Sequence, residues 1–384
     1  MSFLGDGRLR AHLGNEAGDA AVGVRALYVR TEGRAAISRA ERRAQESAGA
    51  APRRVLVEEA FGFDLLGESD IRALPGLRGT FLRRLPMFIA LALEASRRAK
   101  DYDVILTWAE KYTVGVAGTL CLRRRRPRHV AILDWVSKPI VRVPLRIVRS
   151  GVDDVLTWSS VQARVAVDRV GFAPEQVHRI EHPVDEQFFA PQESMVDPRQ
   201  RPVVSAGETQ RDFPTLMAAV AALGVPTIVA ANLLGTFDGV RTRLVDARDA
   251  LVAADGIQVG PLEPPALREA YASAFVVVVP LVESENNAGI SVILEAMAMG
   301  RAVITSRTEG QVDVIRHGET GLYVTPGDVQ ELRAAIERLR DDPEEAARMG
   351  RRGRDEVLRL HRTPDFVHAV RTHVLAASAQ QVRR

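Results

Sequence analysis

A single cysteine, Cys121, rules out any disulfide within the chain and fits a reducing compartment. Between Leu120 and Leu122 it reads as a small buried hydrophobe rather than a catalytic thiol. No stretch approaches the roughly 20 apolar residues that span a bilayer, and the amino terminus lacks a signal-peptide core, so a cytoplasmic protein is expected. Lysine is nearly absent: Lys100, Lys111 and Lys138 stand against 49 arginines, a compositional bias rather than a nucleic-acid signature. Aromatics make up only 5% of the chain and scarcely interleave with the arginines, which disfavours a single-stranded nucleic-acid platform, and no nucleic-acid partner is expected. No low-complexity tract or internal repeat stands out. No Gly-x-Gly-x-x-Gly turn follows the first expected strand, which disfavours a dinucleotide oxidoreductase.

What is present is enough for two cores, given 384 residues of which 46% are hydrophobic. Residues 1–21 are rich in Gly, Ala and charge without periodicity and read as a flexible extension. Strands are expected at 26–29, 54–58, 104–108, 130–133 and 155–158, with helices between several of them and no hairpin signal, which is the rhythm of a parallel α/β domain. After His182-Pro183 the rhythm restarts: strands at 202–205, 227–230, 257–259, 274–280 and 302–305, and helices at 213–223, 239–253 and 266–272. Helices at 330–340, 343–358 and from 364 to about 377 close the chain. Charge is uneven: residues 68–150 carry 17 Lys/Arg against 7 Asp/Glu, although the whole chain is only +3. A basic first half beside an acidic second half suggests an anionic surface or acceptor facing the first.

Residues 287–300 read Asn-Ala-Gly-Ile-Ser-Val-Ile-Leu-Glu-Ala-Met-Ala-Met-Gly, a small-residue turn opening an apolar helix with one carboxylate, Glu295, in its second turn. The preceding run, Phe275-Val-Val-Val-Val-Pro280, suits a strand buried on both faces of a parallel sheet, so the turn falls at a strand's carboxyl end, where open α/β sheets bind ligands. Gly289 lets the chain approach a ligand, the free N–H groups of Ile290 and Ser291 suit a diphosphate, and Glu295 can accept from ribose hydroxyls. Ser291 could instead simply cap the helix. Upstream, in Ala206-Gly-Glu-Thr-Gln-Arg-Asp212, Gly207 turns the chain and Arg211 stands just before a helix; Arg211 is a diphosphate ligand or merely the partner of a nearby acid such as Asp212.

Several of these pieces occur in the order found in GT-B retaining glycosyltransferases, and residues 283–328 resemble the donor half of glycosyltransferase family four. The matching segments are Leu294-Glu-Ala-Met-Ala-Met-Gly-Arg-Ala-Val303, Gly310-Gln-Val-Asp-Val-Ile315 and His317-Gly-Glu-Thr-Gly-Leu-Tyr-Val-Thr-Pro-Gly-Asp328, with Pro183-Val-Asp-Glu-Gln-Phe-Phe-Ala-Pro191 resembling the linker into the second domain. The resemblance is convincing over the C-terminal half and rests on rhythm alone in the N-terminal half. It implies an α/β fold of two Rossmann-like doubly wound domains facing a central cleft: an acceptor domain over 22–186, a nucleotide-sugar domain over 187–362, and a helix and tail over 363–384 packing back on the first. It also implies a retaining hexosyltransferase that uses a nucleotide diphosphate sugar of UDP or GDP type as co-substrate, with no cofactor and no metal, and a glycan, lipid-linked or small-molecule acceptor. In such a site Gly207, Gly289, Ile290, Ser291, Gly310 and Glu295 line the donor, Gly260 and Leu262 flank its base, and Arg211 neutralises the leaving diphosphate.

Two positions depart from the family pattern. Counting back eight positions from Glu295, where the family has a first glutamate, lands on Asn287, which keeps hydrogen bonding to the transferred sugar but loses the charge. Glu208 stands where the family has an arginine before the residue matched by Arg211. These departures motivate a rival reading, a non-catalytic nucleotide-sugar-binding or scaffold protein; a GT-B sugar-nucleotide epimerase is a second alternative.

On the acceptor side the family often has a histidine after an N-domain strand, where this chain has Asp134, either a general base or a cap. Trp108, Glu110 and Trp135 are acceptor-binding candidates, an indole stacking on a sugar and a carboxylate accepting its hydroxyls, whereas His129 is expected ahead of its strand and at the opposite edge. Asp101-Tyr-Asp103 resembles a metal-binding Asp-x-Asp but precedes its strand. The arginine run 123–128 and the amphipathic stretch 81–100 are candidate contacts with an anionic membrane at its inner face, against the plainer reading of solvated charge.

Overall fold

The computed structural model describes residues 23–32, 37–197, 200–231 and 256–382; the expected extension at 1–21 and helix at 239–253 lie outside them. The chain divides into two units, one formed by Met1–Ser47, Arg53–Glu181 and Pro364–Arg384, the other by Ala48–Pro52 and His182–Thr363. Each unit is a six-stranded parallel sheet flanked by helices, the GT-B type of α/β architecture.

In the first unit, strands β1 (Ala26–Val29), β2 (Asp64–Leu66), β3 (Val104–Trp108), β4 (Arg128–Ile132), β5 (Asp154–Thr157) and β6 (Val177–Arg179) line up in the order β2-β1-β3-β4-β5-β6. Leu27, Val29 and Ile105 are fully buried beneath the helices Met87–Arg98 and Glu110–Leu120, and Tyr28, Val104 and Leu106 are buried on the other face of the sheet. The order reverses between β1 and β3, so this sheet has its switch point at their carboxyl ends.

Two expectations fail here. The run at 54–58 is not a strand: Val55–Ala60 is a helix, because the Glu46 carboxylate accepts from the backbone N–H groups of Val55 and Leu56, both at 3.0 Å, and caps its first turn. The sheet's edge is β2 instead. His129 does not precede its strand but lies within β4, fully buried, its ring bonded to Thr107 Oγ1 at 2.9 Å and to the Gly151 carbonyl at 2.8 Å. Burial holds its pKa down at about 4, so it is a neutral core residue. The final helix, Thr363–Val382, sets Phe366 against Trp108 and Phe61 and donates from Arg371 to the Phe61 carbonyl at 2.7 Å.

In the second unit β7 (Val203–Ala206), β8 (Thr227–Ala230), β9 (Ile257–Gly260), β10 (Val276–Val279), β11 (Ala302–Ser306) and β12 (Leu322–Val324) form the order β12-β11-β10-β7-β8-β9. Read from the other edge this is the dinucleotide-fold order, with its reversal between β7 and β10. The four valines of β10 are fully buried between β7 and β11, which is why the strand carries no polar alternation. Helix starts are capped as their sequences ask: Asp212 for Phe213–Leu223, Asp328 for Val329–Asp341 and Asp342 for Pro343–Leu360.

Candidate functional site

At the switch point of the second unit the loops after β7 and β10 are joined. Arg211 and Leu281 form an antiparallel bridge, Asp212 N donates to the Pro280 carbonyl at 3.0 Å, and Val282 N donates to the Gln210 carbonyl at 3.0 Å. Arg211 is folded back beneath this bridge, only 4% exposed, with Nε on the Ala206 carbonyl at 2.9 Å and Nη1 on the Thr209 carbonyl at 2.8 Å. Asp212 is engaged as the helix cap through Thr215, and Glu295 is a carboxylate whose charge reaches Arg211. Burial brings its pKa down to about 10, against the opposing fields of Tyr271 and Glu295.

Two glycines make room for that guanidinium. Gly207 has φ +82°, and a Cβ on it would stand 2.6 Å from Arg211 Nη2. Gly289 also has φ +82°; its Cβ would meet Val279 Cγ1 at 2.7 Å and lie 3.5 Å from Arg211 Nη1. Gly289 is the N-cap of the helix Ile290–Ala298 and brings no side chain to cap it, and Ser291, which is exposed, lies inside the helix rather than at its cap. The first N–H groups of the helix and the Arg211 guanidinium therefore converge on one region of positive potential.

Glu295 lies half-buried in the second turn of this helix and accepts from the Tyr271 hydroxyl at 3.0 Å. Tyr271 is fully buried, and burial with the adjacent Glu295 raises its pKa well above the usual phenol value, so it acts as a permanent donor to the carboxylate. Asn287 is 4% exposed, and among the described residues neither its amide nitrogen nor its oxygen has a partner. A buried amide with both ends unsatisfied is costly unless a ligand completes it. From the loop after β11, Gln311 donates from Nε2 to the Ala288 carbonyl at 2.8 Å, while among the described residues its Oε1 and the buried Thr308 hydroxyl have no partner.

The remaining donor-side candidates separate. Gly310 works through packing: a Cβ there would strike the Asn286 carbonyl at 2.0 Å, and Gly310 N donates to the Ser284 carbonyl at 2.9 Å, so the glycine lets the loop after β11 lie on the loop after β10. Gly260 ends β9 and Leu262 is partly exposed beyond it, two strands from β7 and apart from the group around Arg211. Tyr271, Gln311 and Thr308 were not singled out by sequence. Their signal is the isolated polar group in an otherwise small or apolar setting, as in Glu269-Ala-Tyr-Ala272.

In the first unit the acceptor-side candidates gather at the carboxyl ends of β3, β4 and β5. Glu110 Oε1 accepts from the backbone N–H groups of Asp134, at 2.9 Å, and Trp135, at 2.6 Å, so this carboxylate shapes the loop after β4. Asp134 Oδ1 accepts from Trp158 Nε1 at 3.1 Å. Part of Asp134 meets solvent, yet protein packed around its carboxyl, and then the Glu110 charge, push its pKa up to about 7; Trp158 and Lys138 only partly oppose this. Trp108 is edge-on to Trp158 with centroids 6.0 Å apart, and the Lys138 ammonium lies 3.6 Å from the Trp135 ring centroid. Between Trp108 and Glu110, Ala109 adopts φ +103°, a strained conformation for a residue with a side chain. Trp158 is the residue that sequence reasoning missed on this side. Asp101 and Asp103 sit ahead of β3, at the other end of the sheet, where Asp103 accepts from Arg25 N at 2.8 Å.

Residues 253–342 match the family model described as glycosyl transferases group 1. The MMP alpha-(1->4)-mannosyltransferase of Mycolicibacterium hassiacum is 31% identical over 61% of this chain and 58% of its own length. Sulfoquinovosyl transferase SQD2 of Arabidopsis thaliana is 27% identical over 78% of this chain and 61% of its own. The chain thus spans about three fifths of the length of these two relatives. Among solved structures, Anabaena Alr3699/HepE in complex with UDP and glucose superposes with a TM-score of 0.68 at 17% identity, over 91% of this chain and 99% of that one. The Burkholderia multivorans alpha,alpha-trehalose 6-phosphate synthase gives 0.68 at 12% identity, over 94% and 100%. The sequence match and the two parallel six-stranded sheets agree: residues 253–342 are similar to glycosyl transferases group 1, and the chain has the fold of GT-B glycosyltransferases.

Proposed function

We propose that this protein transfers a hexose from a nucleoside diphosphate sugar, of UDP or GDP type, to a hydroxyl of a glycan, lipid-linked or small-molecule acceptor, with retention at the anomeric carbon and without a metal. The observation that carries this reading is the Arg211 guanidinium, buried against Gly207 and Gly289 beside the glycine-capped start of Ile290–Ala298. A diphosphate would satisfy both, taking hydrogen bonds from Ile290 N and Ser291 N and charge from Arg211. Glu295, steadied by Tyr271, accepts from the ribose, and the unpartnered amide of Asn287 meets the sugar's hydroxyls. The names of the relatives, a mannosyltransferase and a sulfoquinovosyl transferase, and a neighbour solved with UDP and glucose support the same substrate class.

In the reaction the bond between the anomeric carbon and the β-phosphate oxygen breaks, the acceptor oxygen bonds to the same face of that carbon, and the acceptor proton passes to the departing phosphate. Arg211 and the helix N–H groups stabilise the charge that builds on the diphosphate, the role a metal plays elsewhere. Asp134, with a pKa of about 7, and the indoles around it are suited to holding an acceptor hydroxyl.

The test is a melting-shift panel of uridine, guanosine, thymidine and adenosine diphosphates, followed by a time course of diphosphate release from the corresponding sugars with and without acceptors in EDTA. One nucleotide should raise Tm in wild type and not in Glu295→Ala, and turnover should need an acceptor and survive EDTA. Tight binding with no turnover on any acceptor would favour the non-catalytic binding protein, and sugar conversion without acceptor would favour the epimerase. NMR of the product's anomeric proton decides retention.

A further inference from the structure

The helix Pro139–Val148 presents its apolar side outward: Ile140 is 82% exposed, Val143 56% and Ile147 76%, at the i, i+3, i+7 spacing of one helix face, while Leu145 is its only fully buried residue. Leu122, 85% exposed, lies just past the end of Glu110–Leu120. The two helix ends are neighbours, since a Cβ on Gly118 would touch Val148 Cγ1 at 3.6 Å and Arg126 donates to the Ser150 carbonyl at 2.8 Å. The segment that carries these aliphatics is strongly basic, with Asp134 the only acid between Glu110 and Asp153 against ten Lys/Arg, while Asp153, Asp154 and Glu175 lie on the flank beside Ile147. Arg126 and Arg128 are held by Asp153, but residues 123–125 are exposed, as are Arg146 and Arg149. The stretch 81–100 is a poorer candidate, because Met87–Arg98 buries most of its apolar side and its Arg97 and Arg98 are paired with Glu94.

We propose that the face formed by Ile140, Val143, Ile147 and Leu122, ringed by the arginines of 123–125 and of the helix, docks on an anionic lipid surface. Aliphatic side chains enter the acyl boundary while guanidinium groups meet the headgroup phosphates. A second copy of the chain is a poor occupant, since a two-fold contact would set the same arginine-rich rim against itself. A nucleic acid would leave the aliphatics unmatched, as the aromatic beside Ile147, Phe172, is buried and offers no stacking face. The proposal rests on this surface alone and is independent of donor chemistry.

The test is co-sedimentation of the full chain with vesicles of phosphatidylcholine alone or with roughly one third phosphatidylglycerol. Wild type should pellet with the anionic vesicles and stay in solution with the neutral ones. The double change Ile140→Ser with Ile147→Ser should weaken binding roughly tenfold or more, and Arg124→Ser about fivefold with a smaller salt dependence. These positions are exposed, so unchanged circular dichroism and Tm will show that the variants fold. Absence of binding to anionic vesicles, or full binding by the isoleucine double variant, overturns the proposal; so does a dimer in sedimentation velocity that the same variant dissociates.

Discussion

The Tyr271 hydroxyl donates to Glu295 at 3.0 Å from a helix 24 residues earlier in the chain, so the carboxylate assigned to the ribose is oriented by a fully buried phenol. Tyr271→Phe removes that donor while keeping the ring. The nucleotide diphosphate should bind about fivefold more weakly, corresponding to roughly 1 kcal/mol for one hydrogen bond, with fold stability little changed. Isothermal titration checks it, and Glu295→Ala in the same titration should lose binding altogether.

Gly207→Ala and Gly289→Ala each place a methyl group where Arg211 or Val279 already stands, and at a φ of +82°. Each should lower the unfolding free energy by about 1–3 kcal/mol. Gly260→Ala has nothing within 4 Å of the new atom and should stay within about 0.5 kcal/mol of wild type. Urea melts of the three variants separate glycines required by geometry from one that is not.

Asn287 should reveal itself through the sugar alone. With neither end of its amide satisfied, Asn287→Ala should not destabilise the free protein. It should leave the affinity for the bare nucleoside diphosphate unchanged and weaken the nucleotide sugar by about tenfold. Equal losses for both ligands would place Asn287 outside the sugar's reach.

Asp134 couples folding to pH. Its pKa is raised to about 7 in the folded chain, so between the ordinary carboxylate value and 7 the native state holds a proton that the unfolded state has released. Its contribution is therefore lost as pH rises through 7. Asp134→Asn should match wild type in Tm near pH 4 and exceed it at pH 8, by calorimetry at both values. If the carboxylate holds the acceptor, transfer by wild type should rise between pH 6 and 8 and the variant should lose that rise while keeping donor affinity.

The legible parts of this molecule were those written locally. The valine run of β10, the helix Phe213–Leu223 and the glycine turn before Glu295 follow from spacing and composition over a few residues. What escaped depended on contacts between distant segments. Val55-Leu-Val57 has strand-like side chains, but a carboxylate nine residues earlier caps it into a helix. Arg211 was legible as a cation near a turn, whereas its confinement between Gly207 and Gly289 required the crossing order of β7 and β10. The partners Tyr271 of Glu295 and Trp158 of Asp134 each lie 24 residues away, beyond any local pattern.

Trp108, Trp135 and Trp158 are the chain's three tryptophans, and all stand at the strand ends of the first unit. Intrinsic indole emission is thus a built-in reporter confined to that half of the molecule. An acceptor that stacks there will shift or quench the fluorescence, with no label added to the chain.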